Sequence, residues 1–289
     1  MFHEIAPKKL DITYENKEPK ESDLVIYVTD GKILRKEGEE LSLPTVKELG
    51  LGNEEVRFLF KIDETSFFMP LGKEEKEAGT DLPNDLAGKV GENGWIFETP
   101  RDMRNAKPMW IAYAATLGFR IREFYRLNSF CGKCGTKYIH SDKERAMVCP
   151  ECGNTVYPPI APSVIVLIRN GNETVLTKYQ ASHSAYRRYA LVAGYVESGE
   201  TPEETVKREV FEEVGLRVKN ITYYKSQPWP ISGALLLGYV CDLDGDNTIT
   251  RQEDELAVAE WVKRSDVPER SSDVSLTSEM MELFRTGRL

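Results

Sequence analysis

Hydrophobic positions along the chain recur at two spacings, and the spacing separates predicted helices from predicted strands. Val206, Val210 and Val214 repeat every four residues, which predicts a helix with one buried stripe over residues 202–214. Apolar residues at mostly helical spacing predict another helix at residues 108–127. Short apolar runs bounded by turn residues predict strands at residues 23–28, 56–62, 163–168, 173–179, 223–242 and 256–262.

The helix predicted at residues 202–214 carries signals for its start and its end. Thr201 suits the N-cap, Pro202 suits the first helical position, and Glu204 follows three residues after the cap, as in a capping box. Gly215 suits a left-handed residue that terminates a helix. This helix is therefore the most firmly bounded element in the sequence.

The order of elements predicts three parts. Residues 1–127 form an N-terminal mixed α+β domain, residues 128–157 a compact cysteine-bearing module, and residues 158–289 a further domain that starts after a stiff, proline-rich connection. Residues 74–94, rich in Gly, Asp, Lys and Glu, are expected to be loop or short surface helix.

Charge and hydropathy narrow the function. A net charge of −9 argues against broad binding along nucleic-acid backbones, although recognition of a nucleic-acid end stays open. The longest apolar stretches fall far short of the roughly 20 residues that a membrane-spanning helix needs. Residues 1–20 lack the apolar core of a secretion signal, so we expect a cytoplasmic protein.

Four of the five cysteines stand in two C-x-x-C pairs, Cys131 with Cys134 and Cys149 with Cys152. Two such turns bring four thiolates to one tetrahedral ion, and Zn²⁺ suits four sulfur ligands. With no position left for a water, the predicted zinc site is structural. One redox pair beside an incidental second pair is the alternative. His140 lies between the pairs and is expected at the surface, or else as a replacement ligand.

Glu209, Glu212 and Glu213 share one side of the predicted helix by their spacing. A solvated acidic face would ordinarily explain such a cluster. The wider pattern decides otherwise, because Gly194 to Leu216 fits G-x5-E-x7-R-E-U-x-E-E-x-G-U, where U is aliphatic, at every fixed position.

This pattern is identified as the Nudix box, and the chain resembles Nudix hydrolases. The resemblance implies an α/β/α sandwich fold whose box presents carboxylates to Mg²⁺ or Mn²⁺ for the hydrolysis of a pyrophosphate bond. By the same resemblance Glu209 and Glu213 are first-choice ligands, Glu212 is a further ligand or a base, and Arg208 orients a glutamate. The resemblance adds two metal contacts, the Ala193 carbonyl and Glu255, and it assigns the role of proton acceptor to no single glutamate.

Ser226 to Pro230 resembles the start of S-Q-P-W-P-F-P-x-S, the array typical of the NADH pyrophosphatase branch, which also carries a four-cysteine zinc module. A tryptophan packed in the core is the alternative for Trp229 alone. The chain departs from the array after Pro230, and Tyr223, Tyr224 and Tyr239 are candidates to replace the missing aromatic ring. The resemblance implies these substrate-binding residues: Glu144, Tyr157, Tyr195, Ser226, Gln227, Pro228, Trp229, Pro230, Ile231, Ser232 and Gly233.

The leading expectation is hydrolysis of NAD(H) to AMP and nicotinamide mononucleotide by a homodimeric enzyme. Another dinucleotide, an ADP-ribose-type nucleotide sugar or the NAD cap of an RNA 5′ end is the alternative substrate. A catalytically silent nucleotide sensor is the alternative of another class.

Overall fold

Residues 1–71, 94–182, 188–269 and 274–289 are described by a computed structural model, and they divide into two compact units. One unit comprises residues 2–159, and the other comprises Met1 with residues 160–289. The N-terminal region and the cysteine module thus share a unit, and the three-part division stays a prediction. The expectation for residues 74–94 lies outside the described residues except at Gly94. Among described residues no helix is long and apolar enough to cross a membrane.

The described residues of the first unit form three small sheets, ordered β1-β5-β6-β2, β3-β4-β7 and β10-β9-β8. Its helices are α1 (Val46–Leu49), α2 (Pro100–Met103) and α3 (Met109–Leu127), with a 3-10 turn at Asn53–Glu55. Its strands are β1 (Leu10–Asp11), β2 (Leu24–Val25), β3 (Val28–Thr29), β4 (Lys32–Lys36), β5 (Val56–Ile62), β6 (Thr65–Pro70), β7 (Trp95–Glu98), β8 (Ile139–His140), β9 (Met147–Val148) and β10 (Thr155–Val156).

Helix α3 confirms the helix predicted before the cysteine module, with Pro108 as its N-cap. It lies close to the four-stranded sheet because Gly118 has no side chain. A Cβ atom added there would lie 2.0 Å from Cδ1 of Ile26 and 3.2 Å from Cδ1 of Leu59. Any larger residue at position 118 would therefore require the Ile26 side chain or the helix to shift.

The second unit is built on one six-stranded sheet of order β14-β15-β11-β12-β16, with β13 paired to β11. Its strands are β11 (Ala161–Asn170), β12 (Glu173–Tyr179), β13 (Val192–Tyr195), β14 (Val218–Trp229), β15 (Ala234–Leu243) and β16 (Leu256–Lys263). Its helices are α4 (Pro202–Val214) and α5 (Leu276–Arg285), with a 3-10 turn at Arg264–Asp266.

The central strand β11 shows how this sheet is covered on both faces. Val164 and Val166 belong to the core cluster that contains Val210 of α4. Ile165 and Leu167, which alternate with these valines, belong to the cluster that contains Met280 and Phe284 of α5. Since side chains alternate between faces along a strand, α4 and α5 cover opposite faces. The predicted α/β/α sandwich is confirmed.

Candidate active site

Helix α4 starts and ends where the sequence predicts. The Thr201 hydroxyl accepts a hydrogen bond from the Glu204 backbone N–H, and the Glu204 carboxylate accepts one from the Thr201 N–H at 2.8 Å. Gly215 terminates the helix with φ 72°. These caps set the first and last residues of α4. The side of the helix that carries the glutamates therefore has a defined position relative to β13.

Arg208 is the centre of the charged network at this site. Its guanidinium donates to Glu209 at 2.7 Å and to Glu212 at 3.0 Å. It also donates to both carboxylate oxygens of Glu200, at 2.6 and 2.8 Å, and to the Tyr195 carbonyl at 3.0 Å. One cation therefore holds three of the carboxylates in the box and ties them to the end of β13.

Glu200 is the residue that the sequence interpretation missed. It occupies a fixed glutamate position of the box but received no role there. Its hydrogen bonds with Arg208 lower its pKa to about 2, despite the opposing effect of burial. Glu200 is thus a permanent anion that orients Arg208, and its fixed place in the box was the available signal.

Glu213 is nearly fully buried, at 1% exposure. Burial raises its pKa to about 8, and the negative charges of Glu255 and Glu209 act in the same direction. Its Oε1 accepts a 3.3 Å hydrogen bond from the Ala193 N–H, whereas its Oε2 is buried and has no partner among the described residues. A buried carboxylate oxygen without a donor is costly, and a bound cation would remove that cost.

Gly194 explains how a second carboxylate reaches the same place. A Cβ atom at this position would lie 1.9 Å from Cδ and from Oε1 of Glu209. The first glycine of the box is therefore required by close approach of the glutamate, since its φ is not one that only glycine adopts. Burial raises the pKa of Glu209, and the Arg208 guanidinium opposes that shift.

Glu255 approaches from a different element. It precedes β16, and the segment before it is bonded to the end of α4, where Thr250 N–H donates to the Val214 carbonyl at 2.9 Å and Gln252 N–H to the Glu213 carbonyl at 3.0 Å. These bonds satisfy carbonyl groups that a helix leaves open at its C-terminus. They bring Glu255 close enough to affect the pKa values of Glu209 and Glu213.

Carboxylate and backbone carbonyl oxygens are the ligands that hard divalent cations prefer, so this donor set fits such an ion. The carboxylate oxygens of the four candidate ligands lie farther apart than those of a closed metal site. These ligands are Glu209, Glu212, Glu213 and Glu255. Among the described residues, only the cysteines form a set of three or more potential ligands whose donor atoms all lie within 4.8 Å. Like charges repel, and Arg208 holds two of the glutamates, which accounts for the spread.

The cysteine module brings the four predicted zinc ligands together. The Sγ atoms of Cys131 and Cys152 lie 3.7 Å apart, and Sγ of Cys134 lies 3.4 Å from Cys149 and 3.5 Å from Cys152. A zinc tetrahedron with bonds of about 2.3 Å has edges of about 3.8 Å. All five cysteines of the chain are free thiols, so no disulfide competes with a structural zinc ion.

The two halves of this module have the same local structure. Gly135 and Gly153 each follow the second cysteine of a pair with positive φ, 77° and 70°. The Gly135 N–H donates to the Cys131 carbonyl at 2.8 Å, and the Gly153 N–H to the Cys149 carbonyl at 3.0 Å. Burial opposes ionisation of the Cys131 thiol, but donation from backbone N–H groups lowers its pKa to about 6. The first turn is therefore prepared to present the Cys131 thiolate.

His140 corrects the expectation of a surface histidine. It lies in β8 with its ring centroid 4.6 Å from that of Tyr125, and it is only partly exposed. Burial, with a contribution from Arg57, lowers its pKa to about 3. The cysteines alone form the ligand set, so His140 is a neutral packing residue beside the zinc module.

The residues 226–233, called the recognition segment below, form the end of β14 and the turn to β15. Trp229 pairs with Ala234, and the Gly233 N–H closes the turn by donating to the Trp229 carbonyl at 3.0 Å. Gly233 has φ 80°, which favours glycine. A left-handed glycine thus shapes this turn, and the two residues before it, Ile231 and Ser232, stand where the array of the family has an aromatic ring and a proline.

Most side chains of the recognition segment are at least partly exposed, as are the predicted substrate residues Glu144, Tyr157 and Tyr195. Gln227, Pro230 and Gly233 are buried, and Gln227 has 0% exposure. Its Nε2 donates to the Val274 carbonyl and its Oε1 accepts from the Leu276 N–H, both at 2.7 Å. This amide is used inside the protein at the start of α5, so we assign it no substrate contact.

The structure also shows the surroundings of three further tyrosines that the sequence suggests for substrate binding, Tyr157, Tyr223 and Tyr239. Tyr157 donates to Glu144 at 3.0 Å within the first unit, so these two predicted substrate residues are direct neighbours. In the second unit Tyr239 is buried and donates to Glu203 at 2.8 Å, whereas Tyr223 is 50% exposed beside it, with ring centroids 5.8 Å apart. Tyr223 is therefore more available than Tyr239 to replace the missing ring of the array.

Comparisons with known proteins agree with this geometry. The model described as "NUDIX domain" matches residues 159–284, and that described as "NADH pyrophosphatase zinc ribbon domain" matches residues 126–157. The NAD-capped RNA hydrolase NudC of Chromobacterium violaceum is 36% identical over 201 residues, covering 70% of this chain and 73% of that protein. The protein of the same name from Pectobacterium atrosepticum is 34% identical over 237 residues, covering 76% of this chain and 88% of that protein.

Among solved structures, a Nudix hydrolase from Nitrosomonas europaea matches with a TM-score of 0.48 and 20% identity, covering 55% of this chain and 92% of that one. The sandwich and the box at its centre define a Nudix hydrolase, an enzyme that uses a divalent metal. With its zinc ribbon and its similarity to the NudC proteins, the chain belongs to the NADH pyrophosphatase (NudC) family of Nudix hydrolases.

Proposed function

We propose that the chain hydrolyses the pyrophosphate bond of NAD(H) with Mg²⁺ or Mn²⁺, giving AMP and nicotinamide mononucleotide. The observation that carries the metal chemistry is the buried Oε2 of Glu213, which has no partner among the described residues. The similarity to the NADH pyrophosphatase branch at the zinc ribbon and at the recognition segment supports the dinucleotide substrate.

The ligands for the cation would be Glu209, Glu212, Glu213, Glu255 and the Ala193 carbonyl. When bound, the cation offsets charge on the phosphate oxygens and acidifies the attacking water. Arg208 contributes by holding Glu209 and Glu212 in place while staying paired with Glu200.

Substrate recognition is proposed for residues that the resemblance to this branch implies. Tyr195 is 52% exposed and ends the strand that leads into the box, so it is available to stack on a base. Tyr157 and Glu144, which are hydrogen-bonded to each other in the first unit, are proposed as substrate residues on the resemblance alone. In the recognition segment we retain Ser226, Pro228, Trp229, Ile231 and Ser232, which are at least partly exposed, as contacts, and Pro230 and Gly233, which are buried, as residues that shape the turn.

The 5′ end of an NAD-capped RNA is a second candidate substrate, favoured by the names of the two relatives. The net charge of −9 makes extended contact with an RNA backbone unfavourable, so the cap itself would supply most of the binding energy. Another dinucleotide or a nucleotide sugar is the alternative that the altered turn at Ile231 to Gly233 motivates.

A homodimer and a cytoplasmic location are also proposed. The dimer follows from the resemblance to this branch alone. The location is consistent with five free thiols, since a reducing compartment preserves a four-thiolate zinc site.

Product analysis tests the proposal. The purified enzyme is incubated with Mg²⁺ or Mn²⁺ and, separately, NADH, NAD⁺, ADP-ribose, diadenosine polyphosphates and NAD-capped RNA, and the products are separated by chromatography. AMP and reduced nicotinamide mononucleotide formed fastest from NADH would support it. Faster hydrolysis of another compound would move the assignment to that compound.

The metal site has its own test. Glu213→Gln should lower kcat by about a thousandfold, or about 4 kcal/mol of activation free energy, because it removes a proposed ligand charge. The variant should fold, since a neutral side chain suits this buried position. Lys207→Gln, at an exposed position of the same helix, is the matched control. Full activity of Glu213→Gln would refute the assigned metal site.

A further inference from the structure

Strand β14 is irregular just before the recognition segment. Tyr223 pairs with Tyr239 of β15, whereas Lys225, two residues later, pairs with the preceding residue Gly238. Tyr224 is therefore an extra residue, a β-bulge. In a regular strand neighbouring side chains point to opposite faces, and a bulge changes that alternation for the residues that follow. The bulge consequently decides which side chains of the recognition segment face α5.

Glu279 of α5 holds this bulge. Its Oε1 accepts from the Tyr224 hydroxyl at 2.8 Å and from the Lys225 Nζ at 3.0 Å. Two consecutive strand residues reach one carboxylate because the bulge puts both on the same face. The Glu279 side chain is only 12% exposed, so this ion pair is less screened by water than a surface pair.

The helix lies directly on the sheet at this point. Gly238, the partner of Lys225, faces α5 without a side chain, and a Cβ atom there would lie 2.9 Å from Sδ of Met280 and 3.2 Å from Cδ2 of Leu276. Helix α5 therefore approaches the hairpin closely at the pair Lys225 and Gly238. Glu279 binds the hairpin at the same place.

Gln227 makes a second connection just beyond the bulge. Its buried amide bonds to the backbone on both sides of Ser275, the N-cap of α5. These bonds engage main-chain groups of Val274 and Leu276, so they fix the helix start irrespective of side-chain rotation.

We propose that α5 positions the recognition segment for substrate binding, with Glu279 and Gln227 as its positioning residues. The inference rests on the proposed function in one respect, that the segment contacts the substrate. Neither side chain touches the substrate itself. Helix α5 lies on the opposite face of the sheet from α4, which carries the catalytic glutamates. Loss of the contacts that Glu279 and Gln227 make therefore affects substrate binding more than the chemical step.

The test is steady-state kinetics on the full-length holoenzyme with whichever dinucleotide the unaltered enzyme hydrolyses fastest. Glu279→Ala and Gln227→Met should each raise KM about tenfold while kcat stays within about threefold. Tyr224→Phe, which removes one hydroxyl, should raise KM by a smaller factor and keeps the test available if the other variants fail to fold.

Two controls separate positioning from general destabilisation. Glu282→Ala removes a carboxylate of similar exposure on the same helix, one that pairs with Arg285. Phe284→Leu loosens the buried end of α5 away from the bulge. Both should leave KM unchanged even where they lower Tm. The inference would be overturned if Glu279→Ala and Gln227→Met changed KM no more than the two controls do. A fall in kcat at constant KM in these variants would also overturn it. Failure to hydrolyse NADH would refute the proposed substrate and leave this comparison intact.

Discussion

Arg208 and Glu200 form a two-bond ion pair, Nε to Oε1 at 2.6 Å and Nη2 to Oε2 at 2.8 Å. The pair orients the guanidinium so that its remaining nitrogen, Nη1, reaches Glu209 and Glu212. Glu200 lies before the helix and the other two lie on it, so the arginine joins the two parts of the box. This planar, multiple recognition of carboxylates is a property of arginine that lysine lacks.

Glu200→Gln should lower kcat about 10- to 100-fold, the range seen when a residue that orients metal ligands is lost. The amide cannot accept both guanidinium bonds, so Arg208 and the glutamates it holds lose their orientation. Steady-state kinetics at saturating Mg²⁺ measure the effect. Glu197→Gln, an exposed glutamate of the same loop, is the control and should retain full activity. Equal activity of the two variants would contradict an orienting role for Glu200.

Gly194→Ala should impair metal binding, because the added methyl group would overlap the Glu209 carboxylate. We expect the apparent affinity for Mn²⁺ to fall about 10- to 100-fold, measured by titration calorimetry. Gly132→Ala is the control, since a Cβ atom there meets nothing within 4 Å. An unchanged Mn²⁺ affinity in Gly194→Ala would show that Glu209 is not a ligand.

Cys149→Ser should lose bound zinc, which elemental analysis of the purified protein measures. The thiolates are the zinc ligands and a serine hydroxyl stays protonated, so the remaining three sulfurs hold the ion far less tightly. Cys241→Ala removes the buried cysteine outside the module and should keep about one zinc ion per chain. Equal zinc contents in the two variants would contradict a four-cysteine site.

His140 should make the folded state less stable in acid. Its folded pKa is about 3, whereas a histidine of an unfolded chain titrates near 6.5. Below pH 6.5 the unfolded state therefore binds a proton that the folded state excludes, and stability falls as pH decreases towards 3. The loss approaches about 1.4 kcal/mol per pH unit within that window.

Urea unfolding of the enzyme and of His140→Phe at pH 7.5, 6.5 and 5.5 measures this contribution, because acid effects on other groups cancel in the difference. The variant should gain stability relative to the unaltered enzyme as pH falls. A constant difference between the two proteins would show that His140 titrates alike in both states.

The elements that local chemistry governs were predictable from the sequence. The N-cap, capping box and terminating glycine of α4 lie within a few residues of one another, and so do the two cysteine turns with their glycines. Their interactions form between near neighbours whatever the rest of the chain does. Sequence spacing therefore determined the bounds of α4, the side on which its glutamates cluster and the four sulfur ligands.

Tertiary structure decided the features that join distant segments. Gln227 is separated from Leu276 by 49 positions, and its burial depends on where α5 packs. The bulge at Tyr224, the approach of Glu255 to α4 and the packing of His140 on Tyr125 likewise arise between elements. No periodicity within one segment encodes which partner lies across from it. The burial and hydrogen bonding of these residues are consequently fixed only when helices and sheets pack together.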